Sequence, residues 1–135
     1  MTEARYLLDT NIVSYAIKQR DPVLDKHLER VSGRLAISVI TEAELRYGLA
    51  RRPEARRLRQ LMEEFLLRVT VLVWDSAAAA VYGDLRAELE RTGHALGALD
   101  MLIAAQAHAT GAILVTTDKA FGKVKKLRIE HWTGG

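Results

Sequence analysis

Four short apolar runs constrain the fold of this 135-residue chain more than any other feature: RYLL before Asp9, RLAIS at 34–38, VTVLV at 69–73 and AILVT at 112–116. Each is continuous rather than alternating, so both of its faces must be covered, as they are in a parallel sheet flanked by helices. A weaker run, LRIEHW, adds a candidate edge strand near the end. Helical patterns fill the intervals. Asp21 followed by Pro22 reads as an N-cap with proline at the first helical position, and Pro53 is placed to open the helix carrying EARRLRQLMEEFLLRV. Asp75 caps SAAAAVYGDLRAELERTG, which Gly93 closes. A last helix near 98–109 stops at Gly111, with Leu99, Leu102, Ile103 and Ala107 as its apolar face. Strand and helix alternate, so the expected class is α/β with a short, mostly parallel sheet. No repeat, low-complexity tract or linker divides the chain, and one domain spanning 1–135 is expected.

Composition narrows the chemistry. With 49% hydrophobic and 27% charged residues the chain belongs with folded globular proteins rather than disordered ones. It has no cysteine, which excludes disulfides, thiolate metal sites and a cysteine nucleophile. The start, MTEARYLL, carries an acid and too short an apolar run for a signal peptide, and no stretch approaches the roughly 20 apolar residues of a membrane helix. A cytoplasmic protein with no membrane partner is expected. The formal net charge is only +3, but positive charge is concentrated in RRPEARRLR (Arg51 to Arg59) and KAFGKVKKLR (Lys119 to Arg128). Such runs suit a phosphate backbone, and equally a solvated helix face.

The acids are more specific. Ligands of an open parallel sheet bind beyond the carboxyl ends of its strands. Asp9 ends the first apolar run, Asp118 follows the fourth, and Glu44 lies just after the second, in SVITEAELRYG. Asp100, in GALDMLIAAQAHA, falls in the first turn of a helix feeding the fourth run, which brings it to the same edge. Four carboxylates meeting without cations would raise one another's pKa. An oxygen-only ligand set suits Mg²⁺ or Mn²⁺ rather than Zn²⁺, and such an ion serves in-line hydrolysis of a phosphodiester.

Each acid also has a structural alternative. Asp9, with Thr10 and Asn11, is a plausible helix cap; Thr41 and Glu44 have capping-box spacing; Asp100 suits a helix N-terminus; Asp118 suits the turn into Lys119. Glu42, two residues before Glu44, points about 160° away from it on a helix, so only one of the two shares the site easily. Asp75 is read as a cap alone.

LLDTN, ITEAELRYG, LDMLIAAQA, LVTTDKAF and the closing RIEHW together resemble PIN-domain ribonucleases, and ELRYG most resembles the VapC toxins of toxin–antitoxin pairs. The resemblance spans nearly the whole chain and implies a PIN-like three-layer α/β/α fold. It also implies a Mg²⁺- or Mn²⁺-dependent endoribonuclease whose catalytic and metal-binding acids are Asp9, Glu44, Asp100 and Asp118. The family's fourth position varies between Asp and Asn; here it is Asp118, preceded by Thr116 and Thr117. Thr10 and Asn11 are then expected to orient Asp9. Arg46 and Arg86 are candidates to contact substrate phosphate or brace the carboxylates, with solvent-facing helix positions as the alternative. The implied partners are an RNA substrate, a cognate VapB-type antitoxin whose tail enters the acidic groove, and a second copy in a homodimer. A haloacid-dehalogenase-type phosphatase wants Asp where Asn11 stands, and no P-loop is present. The serious alternative is a non-catalytic PIN scaffold that binds RNA or a protein partner.

Overall fold

In a computed structural model, described for residues 5–18, 21–94 and 96–133, the five apolar runs form one sheet. The elements are β1 (Tyr6–Leu8), α1 (Thr10–Lys18), α2 (Pro22–Arg30), β2 (Leu35–Ser38), α3 (Val39–Ala50), α4 (Arg56–Leu66), β3 (Thr70–Leu72), α5 (Ser76–Arg91), α6 (Ala98–Thr110), β4 (Ile113–Val115), a 3₁₀ turn (Lys119–Lys123) and β5 (Ile129–Glu130). Strand order is β3-β2-β1-β4-β5 and every pairing is parallel. LRIEHW thus supplies the edge strand, and Trp132 just beyond it is buried, stacked on His27 with ring centres 5.1 Å apart.

Strand alternation assigns the core to two sides. Tyr6, Leu8, Leu35, Ile37, Ile113 and Val115 face a cluster built with α1, α2, Phe65 of α4 and Trp132. Leu7, Ala36 and Leu114 face the other way, onto Ile103, Ala104 and Ala107 of α6 and onto Phe121. Helices therefore cover both faces of the central strands β1, β2 and β4, which is why these read as unbroken apolar runs, whereas the edge strand β3 is only partly covered and Val73 just after it is exposed. α6 lies between the sheet and α5, and five consecutive residues, Ile103 to Ala107, are buried as a result. Among the described residues no helix is long and apolar enough to cross a membrane.

Caps follow the sequence at Asp21, whose carboxylate accepts from Val23 and Leu24 N–H, and at Asp75, which accepts from Ala78 N–H at 3.1 Å. Gly111 ends α6 in the left-handed region, φ 71°, where glycine alone avoids a Cβ penalty. Two expectations and one of the structural alternatives fail. Pro53 does not open a helix; it lies in the turn between α3 and α4, where Arg52 and Ala55 N–H bond to Leu49 and Arg52 carbonyls and proline has no N–H to lose. The Thr41–Glu44 capping box does not form, because Ser38 caps α3 three residues earlier, its hydroxyl accepting Ile40 N–H at 3.0 Å. Leu99 is not part of the apolar face of α6 but is exposed beside the acids, since the first turn of α6 projects past the sheet edge.

Candidate functional site

The register of the central strands fixes the site. Leu8 pairs with Val115, so the next residues, Asp9 and Thr116, leave the sheet side by side. The Thr116 hydroxyl donates to Asp9 Oδ2, and Ile12 N–H donates to Asp9 Oδ1 at 2.8 Å. Asp9 is therefore the N-cap of α1 as well as the carboxylate at the strand tip. Each oxygen keeps a second lone pair. Asp9 is only 4% exposed and, among the described residues, no cation pairs with it. Burial raises its pKa most; the bonds from Thr116 and Ile12 act against this, and the charges of Asp100 and Asp118 add to it.

Glu44, one turn and a half into α3, is aimed inward by α1: the Thr10 hydroxyl donates to its Oε1 at 2.7 Å. A hydroxyl has one proton, so the 3.2 Å contact between the Thr10 and Thr41 hydroxyls is one in which Thr41 donates to Thr10. Asp100 occupies the first turn of α6, and burial, then Asp118 and Glu44, raise its pKa. A cavity of ≈360 Å³ is lined by Asp9, Thr10, Asn11, Glu44 and the Gly97–Asp100 turn. Asp118 does not line it, yet its charge reaches both Asp9 and Asp100. Its Oδ1 caps the 3₁₀ turn through Ala120 N–H at 2.9 Å, and its own N–H donates to the Thr116 hydroxyl at 3.0 Å.

The structure thus gathers the four acids electrostatically and three of them around one cavity. Among the described residues, no three carboxylates converge closely enough to make a ready ligand shell. The donor chemistry still fits a hard divalent cation: carboxylate oxygens with free lone pairs, no sulfur, and a buried carboxylate that no countercharge among the described residues pairs with.

The other candidates divide. Thr116 is the hub, bonded to Asp9 and Asp118, while its carbonyl accepts the Nδ1–H of His131 at 2.6 Å. Asn11 is exposed at the mouth of the cavity, and Thr117 is exposed between Thr116 and Asp118. Arg46 and Arg86 do not brace the carboxylates. Arg46 pairs with Glu42 at 2.8 Å, one turn back on its own helix, and with Glu63 of α4 at 3.5 Å; Arg86 pairs with Glu90 and bonds Tyr82 on α5. Sequence reading missed Ser38, Thr41 and His131 as supports. Ser38 carried a usable signal, a small hydroxyl residue at the end of an apolar run; Thr41 and His131 act through contacts distant in sequence and carried none.

A parallel sheet with carboxylates at its carboxyl edge is the architecture of PIN domains, and the chain belongs to the PIN-domain family, whose pattern it matches over residues 6–127. Its relatives there are VapC ribonucleases. It is 39% identical over 129 residues to ribonuclease VapC2 of Haemophilus influenzae, covering 95% of this chain and 98% of that one. It is 36% identical over 130 residues to the tRNA(fMet)-specific endonuclease VapC of Shigella flexneri, covering 96% and 98%. Its fold is similar to the DNA-bound VapBC structure from Salmonella typhimurium, with TM-score 0.91 and 34% identity over 96% of this chain and 99% of that one.

Proposed function

We propose that the chain is a Mg²⁺- or Mn²⁺-dependent endoribonuclease toxin, a single PIN domain acting in the cytoplasm as a homodimer and neutralised by a VapB-type antitoxin. The observation that carries the catalytic reading is Asp9: a carboxylate buried at a strand tip, oriented by two hydrogen bonds, acted on by the charges of Asp100 and Asp118, sharing a cavity with Glu44, and with no cation paired to it among the described residues. Pure capping does not account for it, because a cap needs one oxygen and no neighbouring acids. The ribonuclease names of the relatives and the VapBC pairing in the Salmonella structure support the endoribonuclease and antitoxin readings.

Asp9, Glu44, Asp100 and Asp118 are the residues that would hold the cation. When bound, it would activate water, polarise the scissile phosphoryl oxygens and stabilise the departing alkoxide. The chain's own contribution is positioning. Thr116 fixes Asp9 and the backbone of Asp118 together, Thr10 fixes Glu44, and the α6 N-terminus offers partial positive charge where the phosphate approaches.

The test is cleavage of a mixed structured-RNA pool by antitoxin-free protein, with Mg²⁺ or Mn²⁺ against EDTA. Cutting is expected only with metal; cutting that persists unchanged in EDTA overturns the reading. A second expectation concerns Thr116. Thr116→Val removes the donor to Asp9 and the acceptor for Asp118 N–H while keeping shape. Cleavage should fall about 10- to 100-fold, the usual effect of losing a group that orients a metal ligand. Thr116→Ser keeps the hydroxyl and should restore most of it. Equal rates for the Val variant and the parent, measured under single-turnover conditions, would remove Thr116 from the site.

A further inference from the structure

The acidic cavity has a neighbour that the chemistry above leaves unused. A cavity of ≈330 Å³ lies between α1, α3 and α4 and shares Thr10, Asn11 and Glu44 with the acidic one, so the two adjoin. Its wall is apolar, formed by Ile17, Leu45, Leu49, Leu58 and Met62, and its rim is basic, formed by Lys18, Arg51 and Arg52. Among the described residues none of these three cations is in an ion pair. The volume falls within the range of about 300–1,000 Å³ typical of small-ligand sites.

Two neighbouring residues on α3 give this groove a direction. Tyr47 does not line the cavity but stands beside its rim: it is 65% exposed, and the guanidinium carbon of the rim residue Arg51 stands 5.6 Å from its ring centre. An exposed aromatic ring beside a guanidinium is the arrangement on which unpaired bases stack. Gly48 lines the cavity from the interior of α3, where glycine weakens a helix relative to alanine. A Cβ there would meet nothing within 4 Å, and its φ is not positive, so neither packing nor backbone conformation requires glycine. What glycine does preserve is open space next to Glu44.

We propose that this groove is a nucleotide subsite: an unpaired nucleotide flanking the scissile phosphate places its base against Tyr47 and the space left by Gly48, with its phosphates along Lys18, Arg51 and Arg52. The assignment rests on the ribonuclease reading above and extends it to how the substrate is selected, by single-strandedness beside the cut. An RNA strand held over the acidic cavity must continue out of it, and the adjoining groove offers flat apolar surface for bases with positive charge for the backbone. Arg51 and Arg52 reach the rim from the turn that joins α3 to α4.

The experiment measures binding without cutting, in EDTA at low salt, by fluorescence anisotropy of a labelled oligouridine 8-mer and of an abasic RNA of the same length. Parent, Tyr47→Leu, Tyr47→Phe and Gly48→Leu are compared, and the same preparations are assayed for Mn²⁺-dependent cleavage of the RNA pool. Tyr47→Leu and Gly48→Leu should bind the oligouridine about tenfold more weakly, with binding of the abasic strand unchanged, and Tyr47→Phe should match the parent. Gly48→Leu should melt no lower than the parent, which separates a filled groove from a damaged fold. Parent-like binding by both variants, or equal loss on both RNAs, overturns the subsite and leaves the groove to a protein partner; metal-dependent cleavage by the parent in that case keeps the nuclease reading intact. A parent that neither binds nor cuts RNA overturns both.

Discussion

Asp9→Asn should lower RNA cleavage at least about a hundredfold and, in EDTA, make the protein harder to unfold. The lower bound follows because losing even a group that merely orients a metal ligand costs about 10- to 100-fold, and Asp9 is assigned as a ligand. The gain in stability follows from the site's electrostatics. Burial, Asp100 and Asp118 all disfavour the charged form of Asp9 in the folded chain, so a neutral isostere removes a repulsion that the unfolded chain does not feel. Asparagine caps helices as well as aspartate, so the bond from Ile12 N–H to Oδ1 survives, while its amide nitrogen, in the place of Oδ2, donates to the Thr116 hydroxyl where the carboxylate accepted from it. Asp9→Ala is the contrasting variant. It is equally inactive, but it forfeits that cap, worth about 1 kcal/mol, and offers the Thr116 hydroxyl no polar atom in place of the carboxylate. Single-turnover cleavage and thermal denaturation in EDTA check both halves. Parent-like cleavage by Asp9→Asn would mean that the buried carboxylate is structural and the site lies elsewhere.

Asp9 also shows how much of this molecule can be read from its sequence. Its place at the tip of RYLL is visible because a continuous apolar run ending in a carboxylate is a local pattern, and the same holds for Asp118 after AILVT and for the caps Asp21 and Asp75. Parallel topology then brings strand ends to one edge, so residues more than a hundred positions apart become neighbours by a general rule. What local pattern does not carry is partner choice. Thr41 and Glu44 have capping-box spacing, yet Glu44 turns to Thr10, 34 residues away in sequence, because Ser38 has already capped the helix. Arg46 and Arg86 read as candidates for phosphate contacts, but each has a glutamate one turn away on its own helix and pairs with it. Pro53 shows the same limit at a boundary: proline favours a first helical turn and a loop alike, and only the bonds at Arg52 and Ala55 decide.

The acids' mutual repulsion makes stability depend on pH and metal together. Asp9 and Asp100 both have pKa values raised above the carboxyl reference of 3.8, chiefly by burial. Between 3.8 and the raised values the folded state holds more protons than the unfolded one, so stability falls as pH rises through this window and stays low above it. The slope for one such group is at most about 1.4 kcal/mol per pH unit. Other carboxylates are depressed, as Glu88 is by Arg91, and pull the other way. The clean quantity is therefore the difference between Asp9→Asn and the parent in EDTA: the variant's advantage should be absent near pH 3.5 and grow toward neutrality. Mg²⁺ or Mn²⁺ should reverse it. Proton and cation compete for the same oxygens, so metal should raise the melting temperature of the parent little in acid and, at a concentration a hundredfold above Kd, by on the order of 10 °C near pH 8. In Asp9→Asn that rise should shrink to a small fraction. A parent whose melting temperature is indifferent to metal across this range, while the Asp9→Asn difference still grows with pH, would show that the acids repel one another without forming a cation site.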